Sequence, residues 1–119
     1  MGYVHHSNYP LYLEEARMDL LRKIDLNYKE IEDSGVILPV VAMNFRFYSP
    51  IFYDDVITIK TALTQPSDIK LIFHYEIYNQ LNKLVSKAET SLVYVNSKTR
   101  KPIRPPKEYQ KKFKKMVEV

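Results

Sequence analysis

The chain contains no cysteine and only two glycines, and no apolar run approaches the roughly 20 residues that a membrane-spanning helix needs. Without thiols there are no disulfides, no zinc–thiolate sites and no cysteine nucleophiles. With Gly2 and Gly35 as its only glycines, the chain is neither low-complexity nor able to form a glycine-rich phosphate loop, and neither GxxxxGK[ST] nor GxGxxG occurs. HExxH and GxSxG are missing, as are EF-hand, helix-turn-helix and zinc-finger signatures. No charged-then-apolar leader opens the sequence. The expectation is a cytoplasmic protein with no cofactor and no metal.

What is present is ordinary in amount and uneven in placement. The 119 residues suit one domain, 1–119, with a single core. Residues 1–97 hold 9 Lys+Arg against 12 Asp+Glu, a net charge of −3, whereas residues 98–119 hold 9 against 2, a net charge of +7. The basic character therefore belongs to the C-terminal segment. It reads either as a solvated terminal helix or as a phosphate-facing patch.

Hydrophobic spacing gives the elements. Ser7 or Asn8 can cap a helix with Pro10 in its first turn. Leu13, Ala16, Leu20, Leu21 and Ile24 then recur at helical spacing. Leu11, Tyr12 and Met18 widen that stripe, so a helix from about Asn8 to Ile24, largely surrounded by protein, is expected. Asn27 followed by Glu30 resembles a capping box, and Gly35 supplies a stop, so a short helix over Tyr28 to Ser34 follows. From Val36 the period becomes two. Val41, Met43, Phe45 and Phe47 alternate with Ala42, Asn44, Arg46 and Tyr48. Further strands are expected over Val56 to Thr64, Lys70 to Tyr78 and Leu84 to Val95, separated by "QPSD", "NQLNK" and, at the end, "NSKTRKP". Leu71, Phe73, Tyr75 and Ile77 should share one face. After Pro105-Pro106, Tyr109, Phe113 and Met116 form a helical stripe. The fold class is α+β, an antiparallel sheet curled around one long helix. The apolar strand over residues 40–48 should lie at an edge and promote self-association.

Four groups of residues could carry chemistry. His5-His6-Ser7-Asn8 stands at the start of the long helix, where unpaired backbone N–H groups and the positive dipole end can hold an oxyanion; a plain helix cap is the alternative. Glu14 and Arg17 are spaced to pair across one turn, with general-base work by a carboxylate as the alternative. His74, in a strand, reads as packing or a solvated face. Lys98, Arg100, Lys101 and Arg104 cluster at a turn, where they could meet a phosphate group or simply be solvated.

These segments resemble the hotdog-fold acyl-CoA thioesterases, specifically the 4-hydroxybenzoyl-CoA thioesterase/YbgC-like branch. "MGYVHHSNYPLYLEEAR" is similar to that family's G-[VI]-V-[YW]-H-x-N-Y-x-x-[YW]-[FL]-E-x-A-R helix start. "VVAMNFRFYSPIFYDDVITI" resembles its V…Y-x-x-P-x-x-x-G-D-x-[IV]-x-[IV] strand pair, and "AETSLVYVNSKTRKPIRPP" its last strand and proline-bearing tail. The resemblance spans most of the chain in order. It implies a long helix wrapped by a curved antiparallel sheet, a homodimer or homotetramer with sites at the subunit interface, and metal-free hydrolysis of acyl-CoA.

By this likeness, His6 matches the motif histidine, Asn8 and Tyr9 match "NY", and Glu14 and Arg17 match "E-x-A-R". The resemblance implies a catalytic site of His6, Asn8, Tyr9 and Glu14, in which the backbone N–H near His6, at the helix start, polarises the thioester carbonyl, while Glu14 and Arg17 are read as shaping the site or the helix rather than performing the chemical step. Arg100, Lys101 and Arg104 are expected to meet the CoA phosphates. Asp54 and Arg100 stand where the family often has turn glycines. The family's catalytic aspartate lies three residues before the motif glycine, where Gly2 leaves no room, and its first strand is missing. The expectation is a chain whose natural form extends upstream. The alternative is a non-catalytic acyl-CoA or acyl-carrier-protein binding module. Nucleic-acid binding through the C-terminal helix is the weakest reading, because no RNA-module motif accompanies the charge.

Overall fold

A computed structural model describes residues 9–52, 54–64 and 70–118. The elements run α1 (Tyr9–Arg22), α2 (Tyr28–Asp33), β1 (Val36–Ile37), β2 (Val40–Phe47), β3 (Thr58–Leu63), β4 (Lys70–Tyr78), β5 (Leu84–Val93), β6 (Val95–Asn96) and α3 (Lys107–Glu118). A four-stranded antiparallel sheet has the order β2-β5-β4-β3, and β1 pairs with β6 in a separate ladder. The helix-against-curved-sheet α+β architecture expected for a hotdog fold is the one observed.

The strand period sets the two faces of the sheet. Leu71, Phe73, Tyr75 and Ile77 of β4 are all buried, and the cross-strand partners Thr90 and Ala88 on β5 lie buried on the same face. Against it packs α1 through Leu13, Arg17 and Leu21, one residue per helical turn, each buried. Leu26, Ile31, Tyr109 and Phe113 close the core from α2 and α3. Each fully buried apolar side chain of this size contributes about 1.5–3 kcal/mol.

The short elements end where their residues require. Asn27 caps α2 by accepting from the Glu30 N–H at 2.8 Å. Gly35 takes φ +90 directly after it, and its N–H donates to the Glu32 carbonyl at 2.9 Å. The expected strand over 84–95 is interrupted: Tyr94 lies between β5 and β6, with its carbonyl accepting from Ile103. The strand expected from Val56 begins at Thr58, since the Val56 N–H is committed to the Gln80 side chain.

Two expectations about packing need correction. The first helix is less enclosed than its wide apolar face suggested, and Leu11 is 58% exposed. The helix crosses the β4–β3 side of the sheet, so β2 extends beyond it. Val41, Met43, Phe47 and Tyr48 are therefore exposed despite their apolar character. The alternation in β2 is also broken by a register shift between Val40 and Ala42.

Candidate functional site

The space that α1 leaves over β2 is a groove of about 530 Å³. Pro10, Leu11, Glu14, Arg17 and Met18 of α1 form one wall, and Tyr28, Ile31 and Glu32 of α2 lie beside them. The opposite wall is the chain from Val36 to Val40, with Met43 from β2. This wall is positioned by backbone bonds. Gly35 accepts from the Ser97 N–H at 2.9 Å, β1 pairs with β6, and the Val93 N–H donates to Pro39 at 3.2 Å. The groove begins at the first turn of α1, the positive end of the helix dipole, and runs along the helix towards Arg17.

Arg17 is 4% exposed and faces the sheet. Its Nη1 donates to the Tyr75 hydroxyl at 3.1 Å and its Nε to the Tyr28 hydroxyl at 3.3 Å. Tyr75 in turn shares a 2.8 Å hydrogen bond with Thr90 Oγ1. Arg17 therefore does not pair with Glu14, contrary to the expected i,i+3 ion pair. It shares the inward stripe of Leu13 and Leu21, while Glu14 points out to the exposed lip of the groove. Burial opposes the charged guanidinium, but the hydrogen bonds to Tyr75 and Tyr28 outweigh it and raise the Arg17 pKa. Tyr75 is pushed up by burial, so its phenol is neutral at physiological pH.

Of the residues singled out in the sequence, His6 and Asn8 lie outside the described residues, as do His5 and Ser7. Tyr9 opens α1, next to the groove residue Pro10. Glu14 lines the groove. Arg100, Lys101 and Arg104 are exposed and do not line it. They follow β6, whose partner β1 does. Their turn is ordered by Asn96, whose side chain accepts from the Lys98 and Thr99 N–H groups at 2.9 and 3.0 Å. Arg100 adopts φ +62 there, the left-handed conformation that favours glycine. His74 Nδ1 lies 3.6 Å from Glu89 on the outer face of the sheet, remote from the groove. Among the described residues, no group of three or more His, Asp or Glu could hold a metal ion. Tyr28, Tyr75 and Thr90 had no signal in the sequence as site residues, because their link to Arg17 spans three elements.

Known proteins resemble this chain over most of its length. Residues 1–113 match the thioesterase-like superfamily. The chain is 32% identical over 103 residues to YneP of Bacillus subtilis, covering 87% of this chain and 75% of that protein. It is 31% identical over 113 residues to the acyl-CoA thioester hydrolase YbgC of Escherichia coli, covering 95% and 84%. The crystal structure of a DHNA-CoA thioesterase from Staphylococcus aureus superposes with a TM-score of 0.91 at 30% identity, covering 97% of this chain and 79% of that one.

Proposed function

From the membership of this chain in the thioesterase-like superfamily, a family of hotdog-fold thioester hydrolases, we propose that it hydrolyses acyl-CoA to a carboxylic acid and free CoA, with the groove as its acyl site. The observation that carries this reading is the groove itself, which starts at the α1 N-terminus and is walled largely by apolar side chains, with Glu14 at its lip. A thioester carbonyl placed at the helix start meets the positive dipole end, which stabilises the oxyanion of the tetrahedral intermediate. His6, Asn8 and Tyr9 are assigned to that end. Glu14 is assigned to orient and deprotonate the attacking water, and CoA leaves as the thiolate. No metal or redox cofactor takes part in these steps.

The basic turn at Arg100, Lys101 and Arg104 is assigned to the CoA phosphates. It lies one strand from the groove wall, and its backbone is held by Asn96. The whole chain acts as one domain. It works in the cytoplasm, where acyl-CoA is found, as a homodimer or homotetramer that covers the exposed edge of β2. The alternative function, binding of acyl-CoA or an acyl carrier protein without turnover, uses the same groove and basic turn.

A hydrolysis panel over short, long and aromatic acyl-CoAs separates the two. Turnover of several thioesters is expected, with kcat falling about 10²–10⁴-fold in Glu14→Gln. Saturable binding of acyl-CoA with no release of thiol from any substrate overturns the enzyme reading in favour of the binding module.

A further inference from the structure

Towards the inner end of the groove, Arg17 carries a charge that has no counter-ion among the described residues. Arg17 is nine-tenths buried, and among the described residues no carboxylate lies within ion-pair distance of it. Its two hydrogen-bond partners, Tyr75 and Tyr28, are phenols, which satisfy N–H donors but do not neutralise a cation. Nη2 has no hydrogen-bond partner among the described residues, and Arg17 lines the groove. Tyr28 lines the same space. Its oxygen accepts from Arg17, which leaves its own proton to donate. Two donors, one of them cationic, thus converge on one end of an otherwise largely apolar groove.

We propose that Arg17 and Tyr28 form a carboxylate-binding subsite, so that the groove selects acyl groups carrying a carboxylate of their own at the end remote from the thioester. This rests on the groove being the acyl site. A buried cation gains most from an anion that replaces its lost hydration, and a guanidinium binds a carboxylate through charge-assisted bonds. Glu14 and Glu32 also line the groove and repel an anion. Both are exposed, however, and water screens them, whereas Arg17 acts from a low-dielectric position. The spacing fits. Arg17 lies seven positions after Pro10, about 10 Å along the helix axis, and the arginine side chain leans back towards the helix start. An acyl group of medium length can therefore keep its carbonyl at the first turn while its far end reaches the guanidinium.

Non-hydrolysable CoA thioethers test this by calorimetry on the full chain. Each S-(carboxyalkyl)-CoA is compared with the S-alkyl-CoA of equal chain length, over short to medium lengths. At the best length the carboxylate-bearing compound should bind about tenfold or more tightly than its plain partner. Arg17→Met should remove that ratio, Arg17→Lys should retain part of it, and Tyr28→Phe should reduce it several-fold. Tyr28→Phe removes a single oxygen, so it decides the matter if Arg17→Met does not fold. Equal or weaker binding of the carboxylate compounds at every length overturns the subsite while leaving the acyl-CoA site intact. Absence of binding by every thioether overturns both.

Discussion

Tyr75 joins β4 to α1 and β5 through its single hydroxyl, which accepts from Arg17 and shares a proton with Thr90. Burial raises its pKa above the ordinary 10.0, while the bonds to Thr90 and Arg17 pull it down less strongly. The consequence for stability has a definite sign. In the unfolded chain the phenol ionises near pH 10, and in the folded chain it ionises higher. Between those values the folded state binds more protons, so stability falls as pH rises. The contribution is complete below about pH 10 and is lost as pH climbs through the folded value. The melting temperature of the wild-type chain should therefore drop more steeply above pH 10 than that of Tyr75→Phe, as read by circular dichroism. Parallel slopes would contradict the assignment. The inward position of Tyr75 was legible in the sequence from its alternation with Leu71, Phe73 and Ile77. Its bond to Arg17 was not, because the spacing of Arg17 offered a nearer partner in Glu14. Burial decided between them: the stripe Leu13, Arg17, Leu21 turns to the sheet and carries the arginine with it.

At the level of elements, the junction from α2 to β1 fixes one wall of the groove. Gly35 adopts φ +90 there and bonds backward to Glu32 and outward to Ser97. A Cβ built at this position meets nothing within 4 Å, so only the backbone resists a side chain. Gly35→Ala should cost about 1–2 kcal/mol in denaturant unfolding, without a change in packing. A loss below a few tenths of a kcal/mol would show that the junction relaxes freely. The stop at Gly35 and the cap at Asn27 were readable, because both depend on local chemistry. The β1–β6 ladder was not readable: each strand has two residues, too short to show a period, and the partners lie 60 positions apart at Val36 and Asn96. The same limit hid the groove, whose wall is that ladder. The turn at 96–101 was legible by composition, but its position next to the groove wall followed only from the pairing.

For the whole molecule, the open side is β2. Its eight residues occupy an edge of the sheet, and Val41, Met43 and Phe47 remain exposed with Tyr48 just beyond. An apolar edge strand of this length promotes pairing with a second copy. Self-association through β2 should give a dimer or tetramer by light scattering at micromolar concentration. Phe47→Lys, outside the groove lining, should shift it to monomer. A wild-type chain that is monomeric at those concentrations would refute the arrangement. The edge position of this strand was anticipated from its apolar run. The extent of its exposure was not, since it depends on where α1 crosses the sheet.

The line from Arg17 through Tyr75 to Thr90 also constrains how such a sequence can change. Its members sit 58 and 15 positions apart, so no single local event replaces them together. Losing Tyr75 takes a partner from both Arg17 and Thr90, and losing Arg17 or Thr90 takes one of the two partners of the buried Tyr75 hydroxyl, while exchanging all three for apolar residues of similar volume leaves only the half-buried Tyr28 hydroxyl behind. The substitutions are consequently non-additive: each costs more alone than as part of the triple exchange. A path from this line to an apolar core therefore runs through single variants less stable than either end, and the arginine is locked in place by its neighbours as much as by its own chemistry.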